Sequence, residues 1–224
     1  MPALPSPSHP AGLDMQHAGT LALHARSVAS LAVRVCRRLG LDDTQTRLVE
    51  DAALLHDIGK LAIPQAILDK PGPLDDHEWS VVRRHPLLGE AVLSAAAPDP
   101  DVEELVRHHH ERWDGAGYPD GLAGEDIPLG ARIIAACDAY DAMTSARSYC
   151  AARGMAAALA EIAREAGRQF DPDVALALLG ELSPLHPLPE TDPVGCRQVG
   201  DRHVALERPF LAGQDIPPAT AQAA

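Results

Sequence analysis

His56-Asp57 and His109-His110 stand about fifty residues apart, the first set in an apolar run and the second just ahead of a Gly-rich segment. A fold that takes these two islands inside must find partners for four polar side chains, because an unpartnered buried polar group is costly. The first island reads Leu54-Leu55-His56-Asp57-Ile58-Gly59-Lys60. A carboxylate in such a run is tolerated when it is paired or coordinates a metal. Together the doublets offer more donors than one ion needs. That excess points to two ions side by side, an arrangement suited to cutting phosphate esters.

The chain around the islands has helical spacing. Val28, Leu31, Val35 and Leu39 step by three and four along one face, Gly40 supplies a stop, and His24 falls on the same stripe. Val81, Leu88 and Val92 predict a second stripe with His85 on it. Ile134, Asp138 and Asp141 share one face of a helix starting near Leu129. Asp171-Pro172-Asp173 is a helix start, an N-cap carboxylate followed by proline at the first helical position, and Gly180 fits the end. Met155 to Ala166 is alanine-rich and helical in tendency. Gly115 to Gly130 holds five glycines and two prolines and reads as a long loop. No alternating strand pattern is evident. Aromatics make up only 3% of the chain, so the core must come from Ala, Leu, Val and Ile, which favours helices. The fold class expected is all-α: a helical bundle with a Gly/Pro-rich loop.

The formal net charge of -13 argues against a basic nucleic-acid groove, although metal ions can reverse the sign locally for an anionic ligand. Cys36, Cys137, Cys150 and Cys196 form no CxxC pair and read as inert thiols of a reducing cytoplasm. No apolar run approaches the ~18 residues of a membrane span, and Met1 to Pro10 lacks the pattern of a signal peptide. The organisation expected is an arm over 1–16, a catalytic domain over 17–182, and a Pro/Ala-rich tail over 183–224 with a short strand or turn around Val204 to Leu206.

His24, His85 and Asp138 each lie on an inward stripe. Each is open to two readings, a core residue satisfied by a local hydrogen bond or a ligand. His109 and His110 are adjacent and project differently, so both reach one ion only if the backbone turns there. His9, His17, His77, His186 and His203 read as arm, helix-start or tail residues, and His108 as facing solvent.

At this point the residues resemble the HD-GYP domains, a branch of the HD superfamily of metal-dependent phosphohydrolases. Four segments carry the resemblance: Leu54 to Pro64; Lys70-Pro71-Gly72-Pro73-Leu74 with Arg84-His85-Pro86; His109 to Pro119 with Gly121-Leu122; and Asp138 to Ser145 with Arg147 and Tyr149. The resemblance covers roughly residues 20 to 182. It implies that His24, His56, Asp57 and Asp138 hold one ion. It further implies that His85, His109 and His110 hold a second, with Asp57 bridging. Five imidazoles and two carboxylates suit Fe, Mn, Zn, Ni or Co, and the family points to Fe or Mn. The implied activity is hydrolysis of cyclic di-GMP to pGpG or GMP by a hydroxide shared between the ions, with Asp57 and Lys60 as catalytic residues. A mixed cyclic GMP-AMP dinucleotide is the alternative substrate, and a catalytically weak cyclic-dinucleotide-binding module is the alternative role.

Lys60 and Arg147 are the expected phosphate cations. Gly117, Tyr118 and Pro119 form an expected rim for the substrate or a signalling protein partner. Glu111, Asp114 and Asp141 are expected to orient ligand histidines from behind. Two positions depart from the family. Thr20 stands where some members have a glutamate that recruits a third ion, so only two are expected. Cys150 stands where a Lys or Arg tends to grip substrate phosphate, which leaves that task to Arg147 and Lys60.

Overall fold

The computed structural model describes residues 15–96, 99–145 and 154–183. Arg147, Tyr149, Cys150 and the tail with its expected strand or turn lie outside them, as do most of the arm. The described residues form helices and connecting segments: α1 (Met15–Leu39), α2 (Asp43–Leu55), a 3-10 turn (Ile58–Ala62), α3 (Gln65–Leu68), α4 (Asp76–Val82), α5 (His85–Ala96), α6 (Pro100–His108), a second 3-10 turn (Gly124–Asp126), α7 (Leu129–Thr144), α8 (Met155–Arg164) and α9 (Pro172–Leu182). No strand occurs among them. Among the described residues no helix is long and apolar enough to cross a membrane.

Local chemistry sets the boundaries. Gly40 takes the left-handed conformation (φ 80°) that ends α1. Asp42 caps α2 in a reciprocal box with Gln45, and Asp75 caps α4 in another with Glu78. Asp171 accepts from the backbone of Asp173 and Val174, with Pro172 opening α9. The main core gathers Val28, Ala32 and Val35 of α1, Val49 of α2, Val106 of α6, Ile133 and Ile134 of α7, Leu159 of α8 and Leu178 of α9. Ile63, Leu68, Leu74 and Val82 make a smaller cluster.

Two glycines let elements approach closely. A Cβ on Gly59 would stand 2.0 Å from the His85 carbonyl oxygen and 2.5 Å from the Gly89 nitrogen, so the first 3-10 turn lies backbone-to-backbone on α5. A Cβ on Gly130 would meet Leu105 at 2.6 Å and Val49 at 2.9 Å, so α7 seats tightly against α6 and α2.

The structure departs from the expected helix pattern twice. The stripe through Val81, Leu88 and Val92 is not one helix: α4 stops at Val82, α5 starts at His85, and Val92 is exposed. Pro86 is the cause, since it has no N–H to give the Val82 carbonyl and its ring disfavours a continuous helix. Gly180 lies inside α9, which runs on to Leu182. A Cβ there would fall 2.5 Å from the Arg38 guanidinium, so its smallness leaves room for that side chain.

Candidate metal centre

Three histidines follow the ends of three helices. His56 comes directly after α2, His85 after the break that ends α4, and His109 directly after α6. Each turns its Nδ1 onto the carbonyl three residues back: Ala53 at 2.7 Å, Val82 at 2.8 Å and Val106 at 2.7 Å. A helix's last carbonyls lack intrahelical donors, so each imidazole N–H satisfies one of them. With the proton on Nδ1, Nε2 is left as a lone pair aimed inward, the orientation a metal-binding histidine needs.

His24 is held differently. It sits inside α1, its Nδ1 lies 2.7 Å from Asp141 Oδ2, and its Nε2 lies 2.9 Å from Asp138 Oδ1. Asp138 and Asp141 both come from α7, whose packing against α1 brings the three groups together.

The donors fall into two overlapping groups. Asp57, His85, His109 and His110 each offer an atom within 4.8 Å of the others, and so do His24, His56 and Asp57. Asp138 joins the second group, 3.9 Å from His56 Nε2. Asp57 belongs to both. Its Oδ2 receives Lys60 Nζ at 2.8 Å, while its Oδ1 is buried with no hydrogen-bond partner, as is His56 Nε2. His85 Nε2 lies 3.3 Å from His109 Nε2 and 3.1 Å from His110 Nε2. Because His85 and His109 spend their Nδ1 protons on carbonyls, lone pairs face each other and call for a cation between them. Orphaned inward donors and a hard-borderline nitrogen–oxygen ligand set fit divalent metal ions.

The electrostatics agree. Burial, and then the Lys60 charge, push His85 down to about 3. Burial and neighbouring imidazoles hold His109 and His110 well below the usual histidine range. These rings stay neutral and able to ligate. Burial opposes charge on Asp57, but Lys60 and the surrounding imidazoles outweigh it and hold the carboxyl well below the ordinary range. Asp138 is likewise held low against burial, chiefly by its hydrogen bond to His24. His24 runs the other way. Burial disfavours its proton, but the hydrogen bonds to Asp138 and Asp141 and the charges of Asp138 and Asp57 push it up to about 10.

The loop after His110 is built onto the same cluster. Gly117 passes so close that a Cβ would stand 2.4 Å from the Arg112 nitrogen. The Tyr118 N–H donates to the His110 carbonyl at 3.2 Å, its ring stacks on the His110 ring at 4.9 Å, and Pro119 follows. Two expectations are corrected here. Among the described residues, neither Glu111 nor Asp114 hydrogen-bonds a ligand histidine. Glu111 instead accepts the Asp120 and Gly121 N–H groups at 2.6 and 3.0 Å, and Asp114 pairs with Arg112 and caps the Ala116 nitrogen, so both shape the loop. His108 does not face solvent. It is buried, with Nε2 2.9 Å from Asp120 Oδ2, and Arg107 grips the same carboxylate. Hydrogen bonds from Arg107, then from His108, hold Asp120 down to about 2. Of the three expected orienting residues, Asp141 is the one that hydrogen-bonds a donor histidine. Sequence reasoning missed the Ala53, Val82 and Val106 carbonyls, whose signal is a histidine placed just past a helix end.

A family model of the HD domain matches residues 13–174. The chain belongs to the HD-domain family. Within that family it sits with the HD-GYP branch that its four segments resemble. The cyclic di-GMP phosphodiesterase response regulator RpfG of Xanthomonas campestris is 46% identical over 169 residues, 75% of this chain and 44% of that protein. The 3'3'-cGAMP-specific phosphodiesterase 2 of Vibrio cholerae is 37% identical over 158 residues, 70% of this chain and 30% of that protein. The chain thus spans less than half the length of these curated relatives. Among solved structures, an HD-GYP-type protein of Bdellovibrio bacteriovorus superposes with a TM-score of 0.60 at 21% identity, covering 73% of this chain and 52% of that one, which bears out the all-α fold.

Proposed function

We propose that this chain is a metal-dependent phosphodiesterase that hydrolyses cyclic di-GMP to pGpG, GMP or both. The observation that carries the reading is Asp57, shared by two donor groups that each close within 4.8 Å. His24, His56, Asp57 and Asp138 would hold one divalent ion, and Asp57, His85, His109 and His110 a second, with Fe or Mn favoured. When bound, such ions lower the pKa of water and neutralise charge building at phosphorus. The protein's own groups do the rest. Lys60, 2.8 Å from Asp57, keeps that carboxylate ionised and offers an N–H to a phosphoryl oxygen. The Nδ1-bonded carbonyls fix the imidazoles so that no reorientation is needed on loading. Arg147 is the second phosphate cation, and Gly117, Tyr118 and Pro119 form the rim met by substrate or a signalling protein. The catalytic unit is residues 17–182, flanked by the arm 1–16 and the tail 183–224, in the cytoplasm.

A second substrate reading, a mixed cyclic GMP-AMP dinucleotide, is favoured by the relatives named as specific for 3'3'-cGAMP. The test is anaerobic purification with metal analysis, then incubation of the loaded protein with each dinucleotide and chromatographic separation of products. Two ions per chain with pGpG or GMP appearing from cyclic di-GMP is the expected result. Faster cleavage of the mixed dinucleotide would move the assignment to it, and binding of both without cleavage would make the chain a binding module.

A further inference from the structure

Arg83 ends α4, and the break at Pro86 leaves its side chain exposed. Its guanidinium carbon stands 5.6 Å from the centroid of the Tyr118 ring, which is itself stacked on the His110 ring at 4.9 Å with planes 26° apart. A column of three side chains therefore runs from solvent to the donor cluster. The other arginines around this loop are committed to carboxylates: Arg107 to Asp120 and Glu90, Arg112 to Asp114, and Arg132 to Asp171. Among the described residues no carboxylate pairs with Arg83.

An aromatic face attracts a guanidinium without using its N–H donors, which lie in the guanidinium plane. That planar fork matches a phosphate in two parallel hydrogen bonds. A cyclic dinucleotide carries two phosphates with a ribose between them. While one sits at the donor cluster, the other lies a ribose away from it and needs a cation of its own. We propose that Arg83 is a substrate-binding residue: its guanidinium, poised over Tyr118, clamps the phosphate of the cyclic dinucleotide that is not being cut. This inference rests on the phosphodiesterase reading and adds a reason for preferring a substrate with two phosphates over a simple diester.

The test compares the wild type with Arg83→Ala and Arg83→Lys. Each is assayed on cyclic di-GMP and on bis(4-nitrophenyl) phosphate, a diester with a single phosphate. Metal content per chain is measured throughout. Arg83→Ala should raise KM for cyclic di-GMP roughly tenfold, the scale of one charge-assisted contact, with kcat changed far less. The loss in kcat/KM should be at least about fivefold larger for the dinucleotide than for the simple diester. Arg83→Lys should recover part of the loss as a point charge. Metal content should match the wild type, which a role exerted through His110 would not leave unmoved. An unchanged KM, an equal loss on both esters, or a fall in bound metal overturns the proposal. A wild type that binds cyclic di-GMP without cutting it sinks the phosphodiesterase reading alone. Arg83 is then judged by dissociation constant: about tenfold weaker binding in Arg83→Ala supports it, and equal binding overturns it. A wild type that neither binds nor cleaves overturns both.

Discussion

The two sides of the donor cluster hold their imidazoles in opposite ways. On one side His56, His85 and His109 each sit just past a helix and anchor to a carbonyl of that same helix. On the other, His24 sits in the middle of α1 and takes its orientation from Asp138 and Asp141 on α7. The first arrangement is local: it forms whenever the helix forms, and it leaves Nε2 facing inward. The second is long-range and depends on two helices meeting. It surrounds the ring with negative charge and invites a proton when no metal is there. The lesson is that a shared site can be built half from backbone and half from carboxylates, with different sensitivities to mutation and pH.

The largest effect should come from the residue that joins the sides. Asp57→Ala should abolish both metal uptake and turnover, read by metal analysis and product chromatography, since Asp57 belongs to both donor groups. Retained activity would refute the assignment. Gly59→Ala attacks the backbone side without removing a donor. Its Cβ has no space against the His85 carbonyl, and overpacking of this kind costs about 1–3 kcal/mol or more, visible as a lower Tm and poorer metal retention. A melting curve like the wild type's would show that the 3-10 turn yields more easily than its contacts imply. Asp141→Asn attacks the carboxylate side. Loss of a carboxylate behind a ligand histidine typically weakens metal affinity ~10–100-fold, so chelator competition should report a drop in that range while the fold survives. An unchanged affinity would mean that Asp138 alone orients His24.

The smallest effect is the pH profile of the metal-stripped protein. His24 titrates near 6.5 when unfolded and about 10 when folded, so its stabilising contribution is full below 6.5 and is lost as pH rises through about 10. His85, His109 and His110 are held low, so below 6.5 the unfolded chain takes up protons that the folded one refuses, and stability falls with decreasing pH. The stripped protein should melt at its highest temperature near pH 6.5, and His24→Gln should flatten only the alkaline arm. A wild-type profile level between pH 6.5 and 10 would contradict the charge assigned to His24.

Much of this arrangement is legible in the chain. The apolar steps Val28, Leu31 and Val35, the Asp171-Pro172 start and the face shared by Asp138 and Asp141 all act over one helix, where spacing alone decides neighbours. The two doublets are legible because a buried carboxylate and clustered imidazoles demand partners wherever they go, whereas the assignment of His24, His85 and Asp138 to the set comes from the family resemblance. What spacing could not reveal depends on contacts distant in sequence or on single backbone groups. Pro86 splits a stripe that reads as continuous, since period says nothing of a missing N–H. Glu111 is taken up by the Asp120 and Gly121 N–H groups and Asp114 by Arg112 and the Ala116 N–H, partners that exist only once the loop has folded. His108 is buried by Asp120, a partner that arrives only after the loop doubles back.

The carbonyls of Ala53, Val82 and Val106 each lie in the last turn of a helix and, through an imidazole, steady a would-be ligand. Unwinding any of those three terminal turns by a single residue would free a ring to swing. Ion loss should therefore precede global melting on warming, and filling the cage should slow deuterium uptake first at those three helix termini.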